Sequence, residues 1–220
     1  DVTLTTTSSA GTSTDLVFTG ETVTRNGGPS AVAEETITVA GCRHPFVDVP
    51  PWVSAAVDWA ACNEYLSGFG DRFEPNDDMT RAQVANLAYN LAGRPDVSGL
   101  PAHGLGDVPP WVEDAVRWLV GNEYATGYAD LTFRPNLSIT RAAITRMLFR
   151  IAGSPPGSPP HPFVDVPGWV ADAVDWIADP ANDPPYATGY AGNQYRPGSD
   201  ITRAQTTRMV CRINAPPGTC

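Results

Sequence analysis

Three near-identical blocks limit what this chain can fold into. "HPFVDVPPW" begins at residue 44, "HGLGDVPPW" at 103 and "HPFVDVPGW" at 161, spaced 59 and 58 residues apart. A second marker, Thr-Arg-Ala at 80, 140 and 202, recurs in the same order with spacings of 60 and 62. Two markers with matching order and nearly matching period mean three copies of one supersecondary unit. Such units stack, because one alone buries too little apolar surface. Short insertions enlarge the third copy around "ADPANDPPYATGY", and Pro-rich joints, "GRPDVSGLPAHG" and "GSPPGSPPHP", separate the copies. The units are set at 42–96, 97–153 and 154–220, the last including the C-terminal tail, behind a segment 1–41 of different character.

Each unit reads helix, loop, helix. The first helix is expected to start at a proline, which is favoured at the first helical position because it has no amide hydrogen to leave unpaired. Trp111, Val112, Ala115, Val116, Trp118 and Leu119 then recur with helical period, and Trp52 to Trp59 and Trp169 to Trp176 repeat the stripe. Trp59, Trp118 and Trp176 are expected in the core. "TGYADLTFRPN" is too dense in Gly, Asp, Pro and Asn for a helix and reads as a structured loop. The second helix is expected to open at Thr-Arg-Ala and to end near Gly93 and Gly153, both suited to C-caps.

Residues 1–41, in "DVTLTTT", "TDLVFTGETVTR" and "AEETITVAG", are rich in Thr, Val and Ile and read as about three β-strands, with a turn at "NGGP". So small a sheet leaves open edges and little core. It must therefore dock on the helical units, complete the sheet of a neighbouring copy, or be the remnant of a larger domain.

The formal charge of −10 argues against nucleic acid and anionic membrane as partners, since both want a basic surface. Any anion must be bound locally. All 14 basic residues are arginine, whose planar fork suits carboxylate or phosphate. No run of apolar residues is long enough to span a membrane, and no signal peptide is visible. A start at Asp1 suits a processed export product or an excerpt of a longer chain. Cys42, Cys62, Cys211 and Cys220 lack zinc spacing, and in an exported protein they suit two disulfides; the local pairing, Cys42 with Cys62 and Cys211 with Cys220, is favoured over free buried thiols.

The helix-opening triplet divides into two parts. Thr140 is a good N-cap, Ile139 with Ile144 and Met79 with Val84 suit a hydrophobic staple, and Gln83 and Gln205 complete capping boxes with Thr80 and Thr202. Arg81, Arg141 and Arg203 are not explained in this way, because a cation at a helix start opposes the helix dipole at a cost of about 0.3 to 1 kcal/mol. Two partners would justify them. One is an external anion facing the helix-start amides, the dipole and the guanidinium together. The other is an internal acid, Asp48, Asp107 or Asp165. The equivalent histidines His44, His103 and His161 carry no metal-ligand motif, and no catalytic or nucleotide-binding arrangement is present, so neither enzyme activity nor cofactor is expected.

The order F-x-D-V, Trp, apolar helix, G-Y-x-D-x-T-F-R-P-N and I-T-R-A resembles the S-layer homology repeat over about 44–214. The resemblance implies a pseudo-threefold bundle of helix-loop-helix prongs on a secreted, cell-surface or cell-wall protein, with grooves that bind an acidic, in some cases pyruvylated, secondary cell-wall polysaccharide. The family's contacts carry over to Arg81, Arg141 and Arg203, to Trp52, Trp111 and Trp169, and to Gly68, Gly127 and Gly189; Arg150 and Arg212 on the second helices join them as candidates. The acid of the family's T-R-A-E is missing in all three copies. The first copy has Asn86 and Asn90 where the others have Arg146 and Arg150, or Arg208 and Arg212, so its groove is expected to be weakened. The alternative role is a structural subunit of an extracellular filament or lattice, with the chain itself as partner through the strands of 1–41.

Overall fold

The Thr-Arg-Ala triplets start helices as their local chemistry dictates. In a computed structural model that describes residues 42–182 and 184–220, Thr80, Thr140 and Thr202 are N-caps whose side chains accept from the N–H of Gln83, Ala143 and Gln205. The capping boxes with Gln83 and Gln205 are both complete. The strands expected in 1–41, and the sheet-completing assembly built on them, lie outside the described residues.

Among the described residues six α-helices form three pairs: α1 (Pro51–Cys62) with α2 (Arg81–Leu91), α3 (Glu113–Gly121) with α4 (Arg141–Ile151), and α5 (Ala171–Ile177) with α6 (Arg203–Asn214). The described residues are thus mainly helical, and among them pairing of extended chain is confined to isolated bridges. The expected proline start holds for α1. In the other two copies a 3-10 turn comes first, Pro110–Val112 and Gly168–Val170, and the α-helix starts one turn later. Val112 and Val170, with φ of −123° and −125°, mark the change between the two. Gly93 and Gly153 follow the C-caps of α2 and α4 with φ of 78° and 82°, the left-handed conformation that ends a helix.

Packing runs around a closed order. Helix α3 packs on α2, α5 on α4, and α1 on α6, so the first helix of each unit lies on the second helix of the unit before it. Trp118 and Trp176 are buried there and Trp59 is half-buried against the same core, as their spacing indicated. The residues just before the caps close a second ring. The N–H of Ile139 donates to Met79 O at 2.8 Å, that of Ile201 to Ile139 O at 3.1 Å, and that of Met79 to Ile201 O at 2.9 Å. All three side chains are buried, with Val84 and Ile144 of the staples beside them. Three buried extended segments thereby pair their backbone groups without a sheet.

Cys211 and Cys220 form a disulfide that ties the tail to α6, as the local pairing predicted, and none of the four cysteines is free.

Candidate functional site

Each loop between a unit's helices is fixed by an acid of its own unit. Asp48 accepts from the N–H groups of Phe73 and Glu74 at 2.6 and 2.9 Å, Asp107 from Phe133 and Arg134 at 2.5 and 2.9 Å, and Asp165 from Tyr195 and Arg196 at 2.7 and 2.8 Å. Glu74, Arg134 and Arg196 all have φ near 57°, a conformation non-glycine residues adopt only when their surroundings impose it. The N–H bonds from Phe73 and Glu74 outweigh desolvation and hold the Asp48 carboxyl below the usual range. Asp165 is held low by Tyr195 N–H, against desolvation, with Arg196 N–H adding to the effect.

The carbonyl side of the same loops explains the three arginines. Arg81 donates Nε to Phe133 O and Nη2 to Thr126 O at 2.7 and 3.0 Å. Arg141 gives the same pair of bonds to Tyr195 O and Thr188 O at 2.9 and 3.1 Å, and Arg203 to Phe73 O and Ser67 O, both at 2.7 Å. Each arginine thus serves the loop of the next unit in the closed order. Each also lies over two rings of that loop, Tyr128 and Phe133, Tyr190 and Tyr195, or Phe69 and Phe73. Arg141 and Arg203 are 4% and 2% exposed. Burial pushes the guanidinium pKa of Arg81 and Arg203 down, yet an arginine, the most basic of the side chains, stays charged.

Both expected partners of these arginines are therefore replaced by a third. Asp48, Asp107 and Asp165 spend their oxygens on amide hydrogens, and among the described residues no ion pair joins them to Arg81, Arg141 or Arg203. The helix-start amides are not open to an anion either. Arg81 N donates to Leu137 O and Ala82 N to Pro135 O, and the same two bonds recur at Arg141 and Ala142 and at Arg203 and Ala204. Backbone carbonyls of the neighbouring loop occupy the position an anion would take, so dipole and guanidinium both face partial negative charge.

The glycines of the loops face inward. A Cβ on Gly68 would overlap the Phe46 ring and Arg72 O, one on Gly127 would overlap Leu105, and one on Gly189 would overlap Phe163. Close packing of loop on F-x-D-V block requires glycine there, whatever lies outside.

Among the described residues, the grooves that bring candidate residues together include two, each drawing on three units. The first, about 640 Å³ of open space, is lined by Arg81 of unit one, Thr126, Arg146 and Arg150 of unit two, and Trp169 of unit three. The second, about 630 Å³, is lined by Arg141 of unit two, Gly189, Arg208 and Arg212 of unit three, and Trp52 of unit one. Trp52, Gly68 and Arg81 of one unit therefore do not share a site; the combinations cross units. Trp52, Trp111 and Trp169 are half exposed. Arg146 and Arg208, not among the expected contacts, sit over the rings of Trp169 and Trp52 at 5.4 and 5.5 Å. Arg150 and Arg212 donate Nη1 to Glu123 O and Pro185 O, both at 2.9 Å. Burial lowers the pKa of Arg150 and Arg212, and Arg146 and Arg208 respectively lower it further. Among the described residues lining either groove none is acidic. The histidines lie elsewhere: each accepts a backbone N–H at Nδ1 and turns Nε2 toward Asp58, Glu113 or Asp175.

Two segments, 45–85 and 105–145, match the family described as S-layer homology domain. The chain is 26% identical over 160 residues to a cellulosome-anchoring protein of Acetivibrio thermocellus, covering 67% of this chain and 35% of that protein. It is 25% identical over 166 residues to cell surface glycoprotein 1 of the same organism, covering 67% of this chain and 7% of that protein. An endoglucanase of Bacillus sp. is 32% identical over 102 residues, 46% of this chain and 10% of the enzyme. The chain thus spans a minor part of each of these relatives. The matched segments and the two surface relatives place it at the cell surface or cell wall.

Proposed function

We propose that the chain is a non-catalytic surface protein with three tandem S-layer homology repeats around a pseudo-threefold axis, and that its grooves bind an acidic secondary cell-wall polysaccharide. One observation carries this reading. In a chain of net charge −10, two grooves each gather three arginines and an exposed tryptophan with no acid among their lining residues. Clustered like charges are costly unless an anion neutralises them, and an indole face beside them suits a sugar ring. The third repeat shares the Asp-to-amide, arginine-to-carbonyl and cap hydrogen bonds of the two matched segments. A pyruvate ketal, whose carboxylate suits an arginine fork, is the acidic substituent the family resemblance favours.

The proposed contacts are Trp169, Arg146 and Arg150 in one groove and Trp52, Arg208 and Arg212 in the other. Arg81 and Arg141 contribute charge at the groove edge while holding the loops. Cosedimentation of the chain with purified wall sacculi tests the function. Retention is expected for sacculi carrying the polysaccharide and not for sacculi stripped of it by acid; equal retention on both refutes the reading.

A further inference from the structure

We infer that each arginine-lined groove is built for a group bearing two negative charges, and that Arg146 and Arg208 set this preference. The inference rests on the acidic-ligand reading above and specifies the ligand's charge. Arg146 and Arg150 stand one turn apart on α4, and Arg208 and Arg212 one turn apart on α6. Like charges at that spacing destabilise a helix. Here both are partly buried and no acid is among the lining residues; outside the lining, Glu123 lies near enough to offset part of the charge of Arg150, and among the described residues no acid offsets that of Arg212.

Packing does not demand the pairs, because unit one supplies an internal control. Helix α2 carries Asn86 and Asn90 at the same positions, and Asn90 Nδ2 still ties the helix to its own loop by donating to Tyr65 O at 3.2 Å, where Arg150 and Arg212 donate to the carbonyl one residue earlier in theirs, Glu123 O and Pro185 O. The donors left over point to an occupant. Arg208 Nε and Arg212 Nε are buried with no hydrogen-bond partner. The indoles of Trp169 and Trp52 hold Arg146 and Arg208 by their faces, a contact that uses none of the guanidinium N–H groups. The third arginine, Arg81 or Arg141, adds charge while its Nε and Nη2 serve carbonyls. A lone ketal carboxylate neutralises one arginine of each pair. A phosphomonoester, or two carboxylates on one sugar, neutralises both.

Calorimetric titration of the whole chain at pH 7.5 with glucose 6-phosphate, glucarate and glucuronate tests this. The first two probes carry about two charges and the third carries one. At least one doubly charged probe is expected to bind about tenfold more tightly than glucuronate, at two sites per chain, and comparison of the two tells phosphate from paired carboxylates. The double variant Arg146→Asn, Arg208→Asn, which copies unit one and is checked for folding by circular dichroism, is expected to bring the ratio to about one. The inference is overturned if neither doubly charged probe exceeds glucuronate, or if the advantage survives in the double variant. A chain that sediments with sacculi but shows no such ratio loses this inference and keeps the proposed function.

Discussion

Asp48 and Arg203 hold the same peptide residue from opposite sides without touching each other. The carboxylate takes Phe73 N–H at 2.6 Å from within the first unit, and the guanidinium gives Nε to Phe73 O at 2.7 Å from the third. Asp107 with Arg81 at Phe133, and Asp165 with Arg141 at Tyr195, repeat the arrangement. The acid shapes the loop and the arginine fastens it to the neighbouring unit, so the two residue types have separable consequences.

Replacing Arg203 or Arg141 by alanine is expected to lower stability by about 3 kcal/mol. Two charge-assisted hydrogen bonds are lost in each case and their carbonyls are left without the donor. Lysine should recover little, since a point charge on a flexible stem cannot serve two carbonyls as the fork does. Arg146→Asn, by contrast, should stay within about 0.5 kcal/mol, because loss of the contact with the Trp169 face is offset by relief of the repulsion from Arg150 one turn on. Urea unfolding midpoints decide; a neutral Arg203→Ala would refute the clamp.

Stability is expected to fall in acid through Asp48 and Asp165. Both carboxyls have folded-state pKa values below the unfolded 3.8, so their contribution is complete above the unfolded value and is lost as pH falls through the folded one. The urea midpoint should therefore hold steady from pH 6 to about 5 with respect to these groups and decline below about 4. In Asp165→Asn the decline should be shallower, because the neutral amide has no such linkage.

How much of this was legible in the sequence depends on whether the cause was local. Thr80, Thr140 and Thr202, with Gln83 and Gln205 completing two of the three caps, were readable because the acceptor and donor lie within one turn. Trp118 and Trp176 were readable as core from period alone. The targets of Arg81, Arg141 and Arg203 were not, because a backbone carbonyl is carried by every residue and leaves no mark of its own; a search for a charged partner looks to aspartate or an external anion. The closed order was hidden for a similar reason. Repeat spacing tells that Trp52, Trp111 and Trp169 are equivalent, but only helix packing shows that Trp52 meets Arg208 of unit three and not a residue of its own unit. The arginines at 146 and 208 did stand out against Asn86, and that contrast was the available signal for these two residues.

Alanine at Gly127 or Gly189 is expected to cost about 1 to 3 kcal/mol, since the added methyl overlaps Leu105 or Phe163 in a packed interface. The same pair of variants separates two roles. If glycine served only to admit a saccharide, Gly189→Ala would keep its unfolding midpoint and lose sacculus retention alone.

Removing the Cys211–Cys220 bridge as Cys220→Ser is expected to cost about 3 kcal/mol by the entropy of a loop of roughly ten residues. Cys211 is fully buried beside Val53, Ala56 and Phe73, so the freed thiol should stay packed and helix α6 should persist. Thermal unfolding of the chain and of the serine variant, both without reductant, measures the loss; equal midpoints would show that the bridge adds no stability.

Sacculus retention should depend unequally on the three exposed tryptophans. Trp52 and Trp169 lie over Arg208 and Arg146, whereas Asn86 stands in the matching place on α2, the helix against which α3 of Trp111's unit packs. Trp52→Ala and Trp169→Ala are each expected to weaken retention severalfold, and Trp111→Ala to change it little. The double variant should lose far more than either single one. If, as proposed, two grooves on one chain engage one polymer, the second binds at a high effective concentration once the first is held, so losing both removes the gain from linkage as well as the contacts. A double variant no weaker than Trp52→Ala alone would show that one groove does the binding.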